Sequence, residues 1–533
     1  MNYKYVLTSI SLLAAFLVCA PSDKNGKEVE QLPKLAEQEP NDHFKQAQTI
    51  AEYPCMAEGY IGEKKDQDWF KISIPADSAV ILRAELTGVE GLNLKMELMD
   101  SENEKLLEVD RQKEGEGEIL TNYGLTSGDY FLRVRELWSA NTERKFNDTL
   151  AYHLKVNLSA TTPDVEMESN NKGVLATNLP PNVTMKGYLS PYHDVDWYKL
   201  QLPKATNQYL QITLSALENV DTQLEIYDPI EALILKTDMG KKGETESIAN
   251  LGIAPDYDFY YIVVKPGKWQ TNEAEPYRLT ATFKQASHTM EVEPNDRIVR
   301  ATEIAPNDTV LGFLDTPGDV DWYRIKGPED DRGICRGYFS GVDKVDLIIT
   351  VFDQNENKIL TINDTGTLET EYICNLGLET HQPYYIKIAN HKQSANPNET
   401  YQFFFTIERY YNDDEFEPND SFENASMLLP EKPVNGYIHP EGDVDFYRLD
   451  LARYSRFSLI IKLNGIMKVN TDMVLYDENL QEVASAAEKA SEESERIDKE
   501  LSSGIYYLKV YDNDGKESNY RDKYKIQTKV IVM

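Results

Sequence analysis

Cysteine is scarce, with four in 533 residues, and no two are spaced as Cys-x-x-Cys, so the thiolate clusters of zinc and redox sites are missing. The seven histidines (His43, His153, His193, His288, His381, His391, His439) share no register. There is no His-Glu-x-x-His pair and no Gly-x-Ser-x-Gly elbow, which removes the usual zinc-peptidase and serine-hydrolase machinery. Positive charge is also in deficit: 55 Lys and Arg stand against 90 Asp and Glu, a net charge of -35. Such a chain is repelled by nucleic acid and by anionic membrane surfaces, and its acid excess points to cations. The apolar run from Val6 to Val18 has thirteen apolar or small residues, short of the roughly 20 that span a bilayer as a helix.

That run reads instead as an export signal over residues 1–19, with Lys4 ahead of it and Cys19 after it. Cys19 stands where a bacterial lipoprotein carries its acylated cysteine, and residues 20–36 would then be a polar tether. Val18 occupies a position where such signals usually have Gly, Ala or Ser, so simple cleavage after Ala20 remains the alternative, although Pro21 disfavours it. Either reading exports the chain, as an outer-membrane or cell-surface lipoprotein held by its lipid, or as a secreted or periplasmic protein.

What the chain has in abundance is repetition. An acidic word is followed some 24 to 29 residues later by Asp-x-Asp and an aromatic, four times over. The first copy holds Glu37, Glu39, Pro40, Asn41 and Asp42 with Asp66, Asp68 and Trp69. The second holds Glu166, Glu168, Ser169, Asn170 and Asn171 with Asp194, Asp196 and Trp197. The third holds Glu291, Glu293, Pro294, Asn295 and Asp296 with Asp319, Asp321 and Trp322. The fourth holds Glu415, Glu417, Pro418, Asn419 and Asp420 with Asp443, Asp445 and Phe446. The second Asp of each pair recurs at intervals of 128, 125 and 124 residues, which is the length of a domain rather than of a solenoid unit.

Other features keep the same register. Strand-like runs end in an Asp turn at Asp100, Asp228, Asp353 and Asp477, aromatic pairs fall at Tyr130-Phe131, Tyr260-Tyr261, Tyr384-Tyr385 and Tyr506-Tyr507, and a closing strand starts at Tyr152, Tyr277, Tyr401 and Tyr524. Short segments of period two, separated by Gly, Asn, Asp and Pro, predict half-buried antiparallel strands joined by turns. The expected architecture is an all-β sandwich repeated four times, over residues 37–160, 161–286, 287–410 and 411–533.

Each signature offers the oxygens that Ca²⁺ takes, from carboxylates, side-chain amides and backbone carbonyls. Nineteen of the 90 acids belong to it, five in each of copies one, three and four and four in copy two. Five like charges packed together without a cation raise one another's pKa at a cost. The alternative is that they are solvated turn residues, since Asn and Asp are ordinary caps and Pro fixes φ there.

The words Glu-Pro-Asn-Asp and Gly-Asp-Val-Asp-Trp/Phe-Tyr, fullest at Gly318 to Tyr323 and Gly442 to Tyr447, make each copy resemble the bacterial pre-peptidase C-terminal domain, usually appended to secreted peptidases. The resemblance covers residues 37 to 533. It implies four tandem jelly-roll-like antiparallel β-sandwich domains. Through the related collagen-binding domains of clostridial collagenases, it also implies calcium held between the acidic word and Asp-x-Asp. Copy two departs from the pattern at Ser169, Asn171 and Tyr192-His193, which puts its calcium in doubt. No segment is left to house a peptidase.

Three cysteines remain. Cys335 and Cys374 fall on strand-like segments of copy three, where a disulfide and two buried small hydrophobes are equally good readings, and Cys55 has no partner in its copy. Trp138 and Trp269 follow equivalent strands in polar loops, and are candidates either for ligand contact or for packing on a neighbouring domain. Two function classes follow. One is a non-catalytic, surface-anchored array that binds a matrix protein or polysaccharide. The other is an accessory of secreted peptidases, or a hydrolase whose residues carry no recognisable motif.

Overall fold

A computed structural model describes residues 32–138, 143–204, 207–287, 289–392, 394–487 and 492–533. Cys19 and the proposed signal lie outside these. The described residues are strands and turns, with helical structure only in the three-residue 3-10 turns Phe44–Gln46, Gly173–Leu175 and Ile298–Arg300. None of them forms a helix long and apolar enough to cross a membrane. The chain falls into two compact units, one built on residues up to Thr162 together with Met167–Ser169 and Ser190–Tyr192, the other holding the rest.

The first unit is a single eight-stranded sheet. Two long strands, Gln67–Leu86 and Glu118–Glu136, run side by side through it and break register between Ile74 and Ala79 and between Leu82 and Ala84. Such irregularities bend a sheet, and the bend lets both ends of each strand face one core containing Phe70, Leu82, Leu94, Leu132 and Tyr152. Lys34–Ala36, expected to end the tether, is a strand paired in parallel with Cys55–Ile61.

The second unit contains six sheets, alternately of four and five strands, which form three equivalent pairs. In copy three the four-stranded sheet runs Thr309–Leu314, Asn396–Arg409, Gly333–Phe339, Glu371–Leu378. The five-stranded one runs Thr302–Glu303, Val320–Lys326, Pro383–Asn390, Leu347–Phe352, Lys358–Ile362. All ladders within these sheets are antiparallel except that of the two-residue strand Thr302–Glu303, which lies parallel to Val320–Lys326. This is the β-sandwich read from the alternating pattern. In Arg456–Asn464 of copy four, for example, Phe457, Leu459, Ile461 and Leu463 are fully buried while their neighbours face outward. Each such side chain contributes about 1.5–3 kcal/mol of burial, so a charge at Ile461 would disrupt that strand's packing.

Of the two readings of Cys335 and Cys374, the disulfide is not formed and both are buried. Cys335 and Cys374 lie on adjacent strands, but both thiols are free. Cys335 points into the core of copy three beside Phe339 and Phe403, while Cys374 turns the other way and donates to the Tyr520 carbonyl at 3.7 Å. Two thiols on opposite faces of a sheet cannot bond.

Candidate metal centre

The acidic words are not free linkers. In copy three the Glu291 amide donates to the Leu311 carbonyl and the Leu311 amide to Thr289; in copy four the Glu415 amide donates to the Asn435 carbonyl and the Asn435 amide to Asp413. Each word is thereby laid along the strand that ends in front of its Asp-x-Asp, and the side chains of both segments meet at one end of the sandwich. The peptide bond after the second Glu is cis at Glu39-Pro40, Glu293-Pro294 and Glu417-Pro418, and also at Glu168-Ser169.

The same contacts recur from copy to copy. The second Glu curls back so that one oxygen accepts from the amide of the Asn two residues on, at 2.9 Å for Glu39, Glu293 and Glu417. The first Glu accepts from a backbone amide of the neighbouring strand, Tyr60 at 3.0 Å, Phe313 at 3.3 Å and Tyr437 at 2.6 Å. The first Asp closes its own turn, with Asp66 accepting from Gly62, Asp319 from Asp315 and Asp443 from His439. The second Asp accepts from the closing-strand tyrosine, at 2.6 Å from Tyr152, 2.6 Å from Tyr277, 2.7 Å from Tyr401 and 2.6 Å from Tyr524. A second hydroxyl joins it where the chain reads Asp-x-Asp-aromatic-Tyr: Tyr323 meets Tyr401 at 2.6 Å, and Tyr447 reaches Glu415 at 3.1 Å. Copy one has Phe70 at that position.

In copies three and four these bonds satisfy one oxygen of the second Glu and of the second Asp and leave the other. Glu293 Oε1, Asn295 Oδ1 and Asp321 Oδ1 in copy three are buried without a hydrogen-bond partner, as are Glu417 Oε1, Asn419 Oδ1 and Asp445 Oδ1 in copy four. Copy one repeats the pattern at Asn41 Oδ1, Asp66 Oδ1 and Asp68 Oδ1. Buried oxygens without donors are costly and rare; here those of the Asn and of the second Asp recur in three copies. One oxygen from each of Glu291, Glu293 and Asp321 lies within 4.8 Å of the others, and likewise for Glu37, Glu39 and Asp68, and for Glu415, Glu417 and Asp445. A second grouping adds Asp296 and Asp319 around Glu293. Asp42, Asp296 and Asp420 are exposed at the rim.

Protonation shows the strain of this arrangement. Burial raises Asp68 to about 9, helped by the charge of Glu37, and raises Glu37 to about 7 and Asp66 to about 6. Burial and Asp296 bring Glu293 to about 7, and burial with neighbouring carboxylates pushes Asp321 and Asp445 well above the usual range. A divalent cation would reverse that cost, since it favours every ionised form. The donor set, all oxygen, suits Ca²⁺ rather than a softer metal.

In the second unit the preceding domain closes the site. Asn250 of copy two donates its amide to Glu291, and Asn375 of copy three donates to Glu415. The following glycines permit this approach, because a Cβ on Gly252 would sit 2.6 Å from the Glu293 carbonyl and one on Gly377 would meet Phe416 at 2.5 Å. Glu293 and Glu417 are accordingly buried, whereas Glu39, with no domain before it among the described residues, is exposed. A cavity of about 220 Å³ beside Glu417, Asp420 and Asp443 leads in from the surface.

Copy two is divided between the compact units. Within the second unit Tyr277 bridges Asp196 and Glu166, Tyr198 donates to Glu166 at 2.5 Å, and the Asn170 amide reaches Glu166 at 3.4 Å; Asp194 is buried. Glu168 belongs to the first unit, where its amide donates to the Asn122 carbonyl at 3.1 Å.

No family model and no curated protein matches the chain. Solved structures do. The copies are similar to the pre-peptidase C-terminal domain. That of a Bacillus anthracis collagenase is 18% identical over 20% of this chain and 94% of its own, with a TM-score of 0.17. A BSP domain of a biofilm-associated protein is 11% identical over 93% of this chain and 99% of its own, TM-score 0.12. A secreted protein from Eubacterium rectale is 9% identical over 43% and 73%, TM-score 0.14.

The remaining candidates fall elsewhere. Trp138 is 43% exposed with the Arg144 guanidinium 4.1 Å above its ring, and Trp269 is 63% exposed with the His193 ring 4.6 Å away. A Cys374, His439, Asp364 cluster has the composition of a nucleophilic triad, yet His439 is 4% exposed, its Nδ1 lies 3.0 Å from Asp364, and its Nε2 is 2.8 Å from the Tyr372 carbonyl. Both ring nitrogens are thereby engaged. The cluster ties copy three to copy four. Sequence reasoning missed the junction residues Asn250 and Asn375 and the paired tyrosine hydroxyls. The tyrosines recur in register, and a hydroxyl placed repeatedly among buried apolar positions was the available signal.

Proposed function

We propose that the chain is an exported, non-catalytic array of β-sandwich domains that binds Ca²⁺ at the junction face of each copy and presents its surfaces to an extracellular or envelope ligand, a matrix protein or a polysaccharide. The observation that carries the calcium reading is the recurrence of donor-less buried oxygens on the Asn and the second Asp of copies one, three and four, joined by the second Glu in copies three and four. Glu291, Glu293, Asn295, Asp319 and Asp321 would hold the ion in copy three, and the equivalent residues would hold it in copies one and four. The cation supplies structural charge, neutralising carboxylates that otherwise repel. Because Asn250 and Asn375 reach those carboxylates from the domain before, occupancy would fix one domain on the next and stiffen the array. Export is supported by the amino-terminal residues, and proteins described as secreted or biofilm-associated are among the similar structures.

The experiment is thermal melting of the intact chain in millimolar calcium and in chelator. Calcium should raise the melting temperature, since a ligand of the folded state stabilises it by mass action. Superimposable melts would refute the calcium role.

A further inference from the structure

A cleft of about 310 Å³ in copy one stands against the charge of the whole chain. Five of its ten lining residues are basic, Lys65, Arg133, Arg135, Arg144 and Lys145, and only Asp66 and Glu136 are acidic, in a chain where acids outnumber bases 90 to 55. Its aromatic wall is Trp138. Among the four copies, only copy one places an arginine opposite the aromatic after Asp-x-Asp: the paired residue is Arg133 in copy one, but Val263, Lys387 and Lys509 in the others.

The inner arginines are fixed. Glu97, 2% exposed, accepts from Arg133 Nη2 at 2.5 Å and from Arg135 Nε at 3.0 Å, and the Arg133 guanidinium lies 4.9 Å over the Trp69 ring. The outer cations differ. Lys145 pairs with Glu114, whereas Lys65 and Arg144 make no ion pair among the described residues, and Arg144 rests on the indole of Trp138 instead. A half-exposed indole beside an unpaired guanidinium and an unpaired ammonium offers a flat platform and two cationic donors in a cleft at the small end of the range that holds ligands.

We propose that this cleft binds a carboxylate-bearing sugar, a uronic acid unit of an acidic polysaccharide, with the carboxylate on Arg144 and Lys65 and the ring against Trp138. An acidic peptide fits less well, because the cleft offers a short enclosed surface and no sheet edge for backbone pairing. The proposal rests on the ligand-binding role proposed above and names its ligand class, but it does not rest on the cation.

The test is calorimetric titration of the intact chain with a hyaluronan tetrasaccharide, with the neutral N-acetylglucosamine tetramer, and with a glutamate hexapeptide, each in calcium and in chelator. The glucuronate sugar should bind, and binding should weaken with salt. Arg144→Ala and Trp138→Ala should each lose about tenfold or more in affinity, with circular dichroism unchanged because neither side chain belongs to the buried core, while Trp269→Ala should bind as the native chain does. Absence of glucuronate binding, equal binding of the neutral sugar, full affinity in Arg144→Ala, or preferential peptide binding lost in the same variants would each overturn it. Sugar binding that persists when calcium leaves the melts unchanged would support this site while refuting the calcium reading; a calcium effect on the melts without sugar binding would do the reverse.

Discussion

Asp321→Asn separates the two things that a carboxylate does in this cluster. The side chain is fully buried, accepts from Tyr401 at 2.7 Å through Oδ2, and leaves Oδ1 without a partner. Asparagine keeps the volume and an acceptor for Tyr401 while removing the charge. Without calcium that removal helps. Two ionised groups within 4.8 Å of each other repel by roughly 3 kcal/mol at an effective dielectric near 20, and protonation of a neighbour reduces the net relief to about 1–3 kcal/mol. At about 4 °C per kcal/mol for a domain of this size, the transition of copy three should rise by about 4 °C or more in chelator. With calcium the effect reverses. A site at 100 times its Kd adds about 2.7 kcal/mol, and loss of a charged ligand forfeits most of it. Scanning calorimetry of the intact chain should therefore place Asp321→Asn above the native protein in chelator and below it in millimolar calcium. Equal destabilisation in both buffers would refute the reasoning and make Asp321 an ordinary structural acceptor.

Asn250→Ala should weaken the calcium response of copy three by about 10–100-fold in affinity, although the residue lies in copy two; calcium titration followed by calorimetry checks this, and an unchanged midpoint counts against the junction contact. The chelated chain should lose stability as pH rises. Glu37 near 7, Asp66 near 6, Asp68 near 9 and Glu293 near 7 bind protons more tightly folded than unfolded, so stability falls from ordinary carboxylate values near 4 up through those pKa values. The melt should be higher at pH 5.5 than at pH 8.5 in chelator, with the gap closed or inverted by calcium; a chelated chain more stable at pH 8.5 would contradict the cluster's electrostatics. At the amino terminus, native protein should partition into detergent and Cys19→Ala should not, unless mass spectrometry places the mature terminus at Pro21.

Much of this architecture was legible because it is written four times. Recurrence of Asp-x-Asp and of the closing tyrosine set the copies in register, and period-two alternation in runs such as Arg456–Asn464 gave the strands. The cluster could be read for the same reason, down to Glu, Asn and Asp. What lay beyond reach depends on contacts distant in sequence. Asn250 touches Glu291 across a junction 41 residues away, and nothing in the words Asn-Leu-Gly says which acid they meet. The exposure of Glu39 against the burial of Glu293 follows from what precedes each copy, a property of neighbours rather than of the motif. Cys335 and Cys374 sit on paired strands, but a bulge between Cys335 and Gly337 breaks the register, and facing thiols could not be told from opposed ones. The basic cleft of copy one arises because Arg133 and Arg135 share a strand face with Trp69 paired opposite, a two-residue alternation visible in sequence only once the partner strand is known.

The most direct measurement is equilibrium dialysis of the intact, chelator-stripped chain against labelled calcium, counting ions bound per chain. The account predicts one tight ion for each of copies one, three and four, with copy two weaker, and loss of the copy-three ion alone in Asp321→Asn. A chain that binds no calcium, or whose bound calcium is unaffected by Asp321→Asn, would contradict it.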